Sequence, residues 1–488
     1  MSFEVWGILG LAVYLVGLLG LAEWARRARI DHSPADHFLA ARDLGTFVLF
    51  LTLYATAYSG NSLLGYPGEG YRRGFSWVMA TGFMMAIIVV FHALAPGLRQ
   101  VALREGFVTP GDWVRHRFAG ERGSGPLRVT IAVLMVVASG NFLLAQLIAM
   151  GHVAQQVTGG LVPYAAGVTG LAAIVLFYET QGGMRAVAWT DAVQGILMLA
   201  GLALLAFWLL RETGGLGGLT AGIQKLRPDA VRVPDGVECA NWASSIVLLG
   251  VASVVYPQAI QRIYAARSAI VLRRSFALMS FMPLATTLVV TLIGWVAIVQ
   301  LGHLGTLEAD TVMPRLLGEW ASAGSGSAIL AVGVLLGALA AIMSTADSVL
   351  LSLGSIVTGD LLGRSRFDPR TTLLGKRIGA ALMVAMVVAA LGPRLTLWRL
   401  VELKMELLIQ CAPAFLLALH WRRLRADAAL GGALLGASVA VVAVGLGVKR
   451  VAGVHVGVLS LVLNVAVAWL FSLARSAAPV AELAEPPR

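Results

Sequence analysis

The sequence predicts an all-α polytopic membrane protein of about thirteen transmembrane helices, and three observations carry that prediction. Apolar residues make up 58% of the chain and charged ones 13%, whereas soluble domains sit nearer half and a quarter. Apolar runs follow one another almost end to end, each close to the ~20 residues that a bilayer-spanning helix needs. Two of these runs carry polar breaks, "ATAYSGNS" from Ala55 and "SVVYPQAIQR" from Ser253. The net charge of +11 then reflects basic inner loops rather than a nucleic-acid partner. Cys239 and Cys411 fall in an outer loop and a span, which implies neither a disulfide nor a thiolate metal site.

The expected spans cover 4–25, 46–67, 75–96, 129–151, 162–180, 189–210, 243–261, 276–301, 326–357, 378–392, 398–420, 428–446 and 455–474. The first is too long for a signal core and lacks a basic start, so it reads as a retained span. With the N-terminus outside, 25 of the 37 Lys and Arg lie in inner connections, 11 lie in outer ones and Lys404 lies within a span. That excess orients the chain with its N-terminus outside and C-terminus cytoplasmic. The polar outer loop 211–242 separates two five-span blocks, 46–210 and 243–420. The segment 1–45 is a leading span and inner loop, 421–474 holds two trailing spans, and 475–488 reads as a disordered inner tail. The whole is one membrane transport domain. Five is odd, so the blocks have opposite orientations, and each opens on a discontinuous span, the second and the seventh. Inverted repeats that start on broken helices point to a secondary transporter with its site near the bilayer midplane.

Unwinding at Ala55–Asn61 frees carbonyls that lipid cannot satisfy. A hard cation fits such oxygens; a kink packed against a neighbouring helix is the plainer reading. In the ninth span Ala341, Ser344, Thr345, Ser348, Ser352 and Ser355 share one ~100° sector. Asp347 flanks that hydroxyl stripe, and an intramembrane carboxylate suggests function. Asp191, expected one turn into the sixth span, is a second such carboxylate. Pro257 breaks the seventh span, and Arg262 and Arg267 are expected to reach the cytoplasmic side. Glu402, Lys404 and Glu406 stand in the eleventh span, either as interfacial charges or lining an outer vestibule in which Lys404 meets a substrate carboxylate. Two decoys fail. "GEGYRRG" at 68–74 follows no strand, and "YSGN" and "GSGS" have no histidine at membrane depth to make a serine hydrolase. No enzyme is expected.

The motifs "DHFLAARDLG" (36–45), "ATAYSGNSLLGYPGEGY" (55–71), "GGMRAVAWTDAVQ" (182–194), "PQAIQRIYAARS" (257–268) and "AAIMSTADSVLL" (340–351) occur in the order seen in the sodium:solute symporter family. The chain resembles that family from about residue 36 to 425. The resemblance implies a leucine-transporter-type fold, a five-plus-five inverted repeat with one preceding and two following helices. It implies a main Na⁺ site of the Ala55, Tyr58 and Ala341 carbonyls with the Ser344 and Thr345 hydroxyls. It also implies a further cation or proton site of Asp191, Ser344, Asp347 and Ser348, where Asp347 replaces a hydroxyl that the family pattern carries. An acidic residue that proline carriers have in the first break is Ala57 here, and their aromatic substrate positions match Leu249 and Ser253.

These readings converge on a bacterial inner-membrane symporter, coupled to Na⁺, that imports a small polar organic solute by alternating access. Asn61, Ser62 and Tyr256 are expected to contact the solute, with Lys404 and Glu406 from the vestibule. The bilayer is the other partner, and no nucleic acid is expected. Two carboxylates at depth need a second cation, a proton or an arginine such as Arg185 or Arg262. A proton-coupled carrier using Asp191 and Asp347, or a non-transporting solute sensor, are the alternatives.

Overall fold

The structure is a computed structural model in which residues 3–27, 34–305, 308–322, 324–365, 368–392 and 396–474 are described. The expected tail 475–488 lies outside them. Apart from a two-stranded antiparallel hairpin, Arg450–Val451 with Val454–His455, the regular elements are helices.

Helix Ser325–Ile356 forms the axis of the bundle. Every residue from Gly337 to Ile356 is buried, so this stretch is enclosed on all sides, as an element apolar all round must be. It packs on Tyr164–Glu212, Ser124–Val157, Val312–Ala321 and Pro369–Ala390. Its hydroxyl stripe therefore faces protein, not lipid.

Both expected breaks are present. Thr46–Ala57 ends at Tyr58, where φ is −100° and ψ 84°, and the chain resumes helical form at Asn61–Gly65 and Tyr66–Arg73. A neighbour compensates the break: the Gly60 amide donates to the Gln146 Oε1 at 2.9 Å. A Cβ on Gly60 would lie 2.8 Å from that of Ala149, so glycine permits the close approach. The second break divides Gly236–Ser253 from Pro257–Ala265, which are bent by 52°. Pro257 starts the latter, where its missing N–H costs nothing. The broken segments are tied together at one end. Leu44 N–H donates to the Ala265 carbonyl at 3.2 Å, and Arg267 N–H to the Leu44 carbonyl at 3.1 Å.

The helix Tyr164–Glu212 holds two expected spans. Its residue Gly183 is non-helical, with φ 58° and ψ −157°, in the region that favours glycine. Tyr178 and Asp191 flank this point and bond Asp347 and Ser344, which are one turn apart on the axial helix. In a straight helix thirteen residues would separate them by roughly 20 Å. The segment therefore doubles back at Gly183.

Among the described residues nine helices are long and apolar enough to cross a membrane, or ten with the bent pair counted as one span. The expected thirteen differ for physical reasons. Gly183 splits one long helix, the first break leaves Thr46–Ala57 too short to count alone, and Leu397–Leu408 is short and charged.

Candidate functional site

The first break meets the hydroxyl stripe. Helix Thr46–Ala57 leaves its last carbonyls without intrahelical donors, and Ala55 is one of them. Thr345 Oγ1 lies 3.3 Å from the Ala55 carbonyl oxygen and 3.0 Å from that of Ala341. Two of the carbonyls expected at the main ion site thus stand within reach of the Thr345 hydroxyl. Tyr58 ends the helix beside them, and Ser344 is the next residue along the stripe. Its hydroxyl donates to Asp191 Oδ1 at 2.5 Å, which leaves its lone pairs free to coordinate. An all-oxygen set of carbonyls and hydroxyls suits a hard cation, and the residues present fit sodium.

The second centre holds an arginine. Arg262 was expected to reach the cytoplasmic side; instead it is fully buried and turned back into the bundle, while Arg267 is exposed. The break before Pro257 starts a new helix whose residues Pro257–Ala265 are all buried, and of the two arginines expected as possible partners of the buried aspartates, Arg262 is the one that pairs with Asp191. One Arg262 Nη is 2.8 Å from Asp191 Oδ2 and donates to Ser348 Oγ at 2.6 Å. Its Nε donates to Thr52 Oγ1 at 2.8 Å, and the other Nη to the Gln258 carbonyl at 3.1 Å. Thr52 also donates to Asp191. Asp347 accepts from Tyr178 at 2.7 Å and from Ser348 at 3.2 Å. Arg185 pairs instead with Asp36 at 3.1 Å. The structure thus gathers Asp191, Ser344, Asp347 and Ser348 as expected, around a guanidinium. Further along the stripe, Ser352 and Ser355 exchange hydrogen bonds with Gln261 at 2.7 Å.

A central cavity lies beside these centres. Asn61, Ser62, Tyr256 and Lys404 all line it, with Ser253 and Arg262. The Asn61 amide and the Ser253 hydroxyl are buried without hydrogen-bond partners among the described residues. Lys404 Nζ stands 3.0 Å from the centroid of the Phe142 ring and 4.9 Å from that of Tyr256. Glu406 corrects the expectation. It does not line the cavity, because it lies two residues from Lys404 and so on another face of the helix. Gly457 abuts it, where an added Cβ would lie 3.0 Å from Glu406 Cγ. Glu402 is held by Trp398, Arg399 and Arg450.

Sequence reading missed Gln146, Thr52, Tyr178 and Phe142. Gln146, a lone amide in the apolar run "NFLLAQLIAM", carried the one readable signal. Nothing in the sequence joins Tyr178 to Asp347.

Membrane-length helices, two of them broken beside a buried ionic centre, define a secondary transporter. A family model described as the sodium:solute symporter family matches residues 37–436. The osmoregulated proline transporter OpuE of Bacillus subtilis is 27% identical over 468 residues, 93% of this chain and 92% of that one. The sodium/pantothenate symporter of Escherichia coli is 26% identical over 486 residues, 95% of each. A Na⁺-coupled sialic acid symporter, solved substrate-bound and outward-open, superposes with a TM-score of 0.78 at 16% identity, covering 97% of this chain and 99% of that one. A nucleobase-cation-symport-1 family transporter superposes with a TM-score of 0.57 at 17% identity, covering 92% and 97%. The chain belongs to the sodium:solute symporter family. It is a multi-pass membrane transporter, not an enzyme, and sodium is its coupling ion.

Proposed function

We propose that this protein imports a small polar organic solute by alternating access, with sodium held between the first break and the axial helix. The Thr345 hydroxyl, within hydrogen-bonding reach of carbonyls on both elements, carries the reading. A cation there would tie the broken helix to the axis, favour the outward-open state and shape the cavity that Asn61, Ser62, Tyr256 and Lys404 line. Solute binding then closes the outer side, and the ion leaves inward along Ser348, Ser352 and Ser355. The relatives named for proline, pantothenate and sialic acid support a small organic solute. The excess of basic residues in one set of loops supports an N-terminus outside and a C-terminus in the cytoplasm of a bacterial inner membrane.

One observation favours protons or a second cation as participants. Among the described residues Asp191 and Asp347 share a buried centre with a single guanidinium, that of Arg262, which leaves one negative charge over. Charge balance in the dry interior is restored when Asp347 takes up a cation or a proton during the cycle. Proteoliposome uptake, with and without a sodium gradient, tests both readings. Uptake driven by the sodium gradient supports the first, uptake that also responds to a proton gradient or depends on sodium with a Hill coefficient above one supports the second, and no uptake under a sodium gradient refutes both.

A further inference from the structure

Lys404 is 3% exposed, yet its ammonium makes no ion pair or hydrogen bond to any described residue. It is held against the Phe142 and Tyr256 rings alone. Cation–π contact offsets part of the cost of burying an ammonium. It leaves the remainder, since a buried charge is ordinarily paired. The cavity that Lys404 faces is lined by two cationic side chains, Lys404 and Arg262, and by no carboxylate. Arg262 is already committed to Asp191. The rest of the lining is mostly apolar, including Met84, Phe91, Phe142, Leu249 and Phe276, and two of its polar groups, the Asn61 amide and the Ser253 hydroxyl, have no hydrogen-bond partner among the described residues.

We infer that the transported solute is an organic monoanion, a carboxylate on a largely apolar body, whose charge is neutralised by Lys404 and whose further polar group is read by Asn61 and Ser253. The inference deepens the transport reading and rests on it. One lysine matches one negative charge. A charge-assisted pair in a low-dielectric site is worth more than a neutral hydrogen bond. A cationic solute meets only repulsion from Lys404 and Arg262, with no carboxylate in the lining to receive it.

Thermal unfolding of the purified full-length protein tests this, because a ligand that binds only the folded state raises its stability. The probes are butyrate, benzoate and phenylacetate, each beside its primary amide and the corresponding amine, with and without NaCl. At least one carboxylate is expected to raise the melting temperature beyond sodium alone, while its amide and amine do not. Lys404→Met is expected to keep the sodium response and lose carboxylate affinity by about tenfold or more, and Lys404→Arg to retain most of it. The inference is overturned if amides or amines stabilise as well as carboxylates, or if no carboxylate acts while sodium does. It is equally overturned if Lys404→Met binds the carboxylate as wild type does. A carboxylate response without a sodium response would sustain the lysine assignment and count against sodium coupling, so the two readings fail separately. Because the wild-type panel stands alone, a poorly folded variant does not shelter the inference.

Discussion

Replacing Asp191 by Asn removes the counter-charge of an arginine that has no access to solvent. The Asn keeps the volume and its one oxygen can still accept from Thr52, while its NH2 can donate to the Ser344 hydroxyl, so packing is nearly constant and charge is the main variable. Breaking a buried ion pair by neutralising one partner costs about 3–5 kcal/mol. Arg262 retains the Thr52 and Ser348 hydroxyls and the Gln258 carbonyl, which places the expected loss toward ~3 kcal/mol. Arg262→Gln strands Asp191 with two hydroxyl donors and is expected to cost a similar amount. The double variant strands neither charge, so it should be less destabilised than the sum of the two singles, by about 0.5–3 kcal/mol. Denaturant unfolding in detergent micelles, followed by tryptophan fluorescence and extrapolated linearly, measures all four proteins. Additivity of the two substitutions, or an Asp191→Asn protein as stable as wild type, would refute the ionic account of this centre. The same proteins report on the second cation. If a second sodium shares the centre, the Hill coefficient for sodium falls from above one towards one in Asp191→Asn, whereas Asp347→Ser keeps transport with weaker ion affinity. A wild-type coefficient of one, with uptake unchanged when either aspartate is neutralised, would leave the guanidinium as the only cation there.

Three more outcomes are expected. Ser344→Ala with Thr345→Ala removes two of five oxygens from the main site and should weaken sodium activation of uptake by about tenfold or more, ~1.4 kcal/mol; unchanged activation in the inserted protein would refute the site. Cysteines introduced at Asn61, Ser62 and Tyr256 should be shielded from a soluble thiol reagent by a saturating transported solute, and equal labelling with and without it would remove them from the solute pocket. His455, in the hairpin before the last helix, has its pKa pushed down from 6.5 to about 3 by burial and by Arg450, Arg73 and Arg399. The folded state therefore holds it neutral, and its stabilising contribution is complete above pH 6.5 and lost as pH falls towards 3. The loss is roughly 1.4 kcal/mol per pH unit. In acid unfolding His455→Gln should flatten this window, and an unchanged slope would contradict it.

Much of this protein was legible along the chain because a bilayer leaves few solutions. Every backbone group must be paired within a helix, so apolar length announces a span, and a polar interruption announces an exception that needs a partner. On those grounds the sequence by itself determined the helical membrane class, both broken helices and the single-faced hydroxyl stripe of the axial helix. What it could not determine was which distant groups complete each break. Gln146 satisfies Gly60 across 86 positions, and Tyr178 reaches Asp347 across 169. Both partners come from packing that no local spacing encodes. Arg262 shows the limit most directly. The sequence offered it and Arg185 alike as partners for a buried aspartate; only the packing assigns Arg262 to Asp191 and Arg185 to Asp36, because charge neutrality, not hydropathy, decides their places. Lys404 and Glu406, two residues apart in the sequence, are parted by about half a helical turn into a solute cavity and a helix interface. Sequence names the charges; only tertiary structure decides which of them meet, because in a dry interior each must find its partner within a few ångströms.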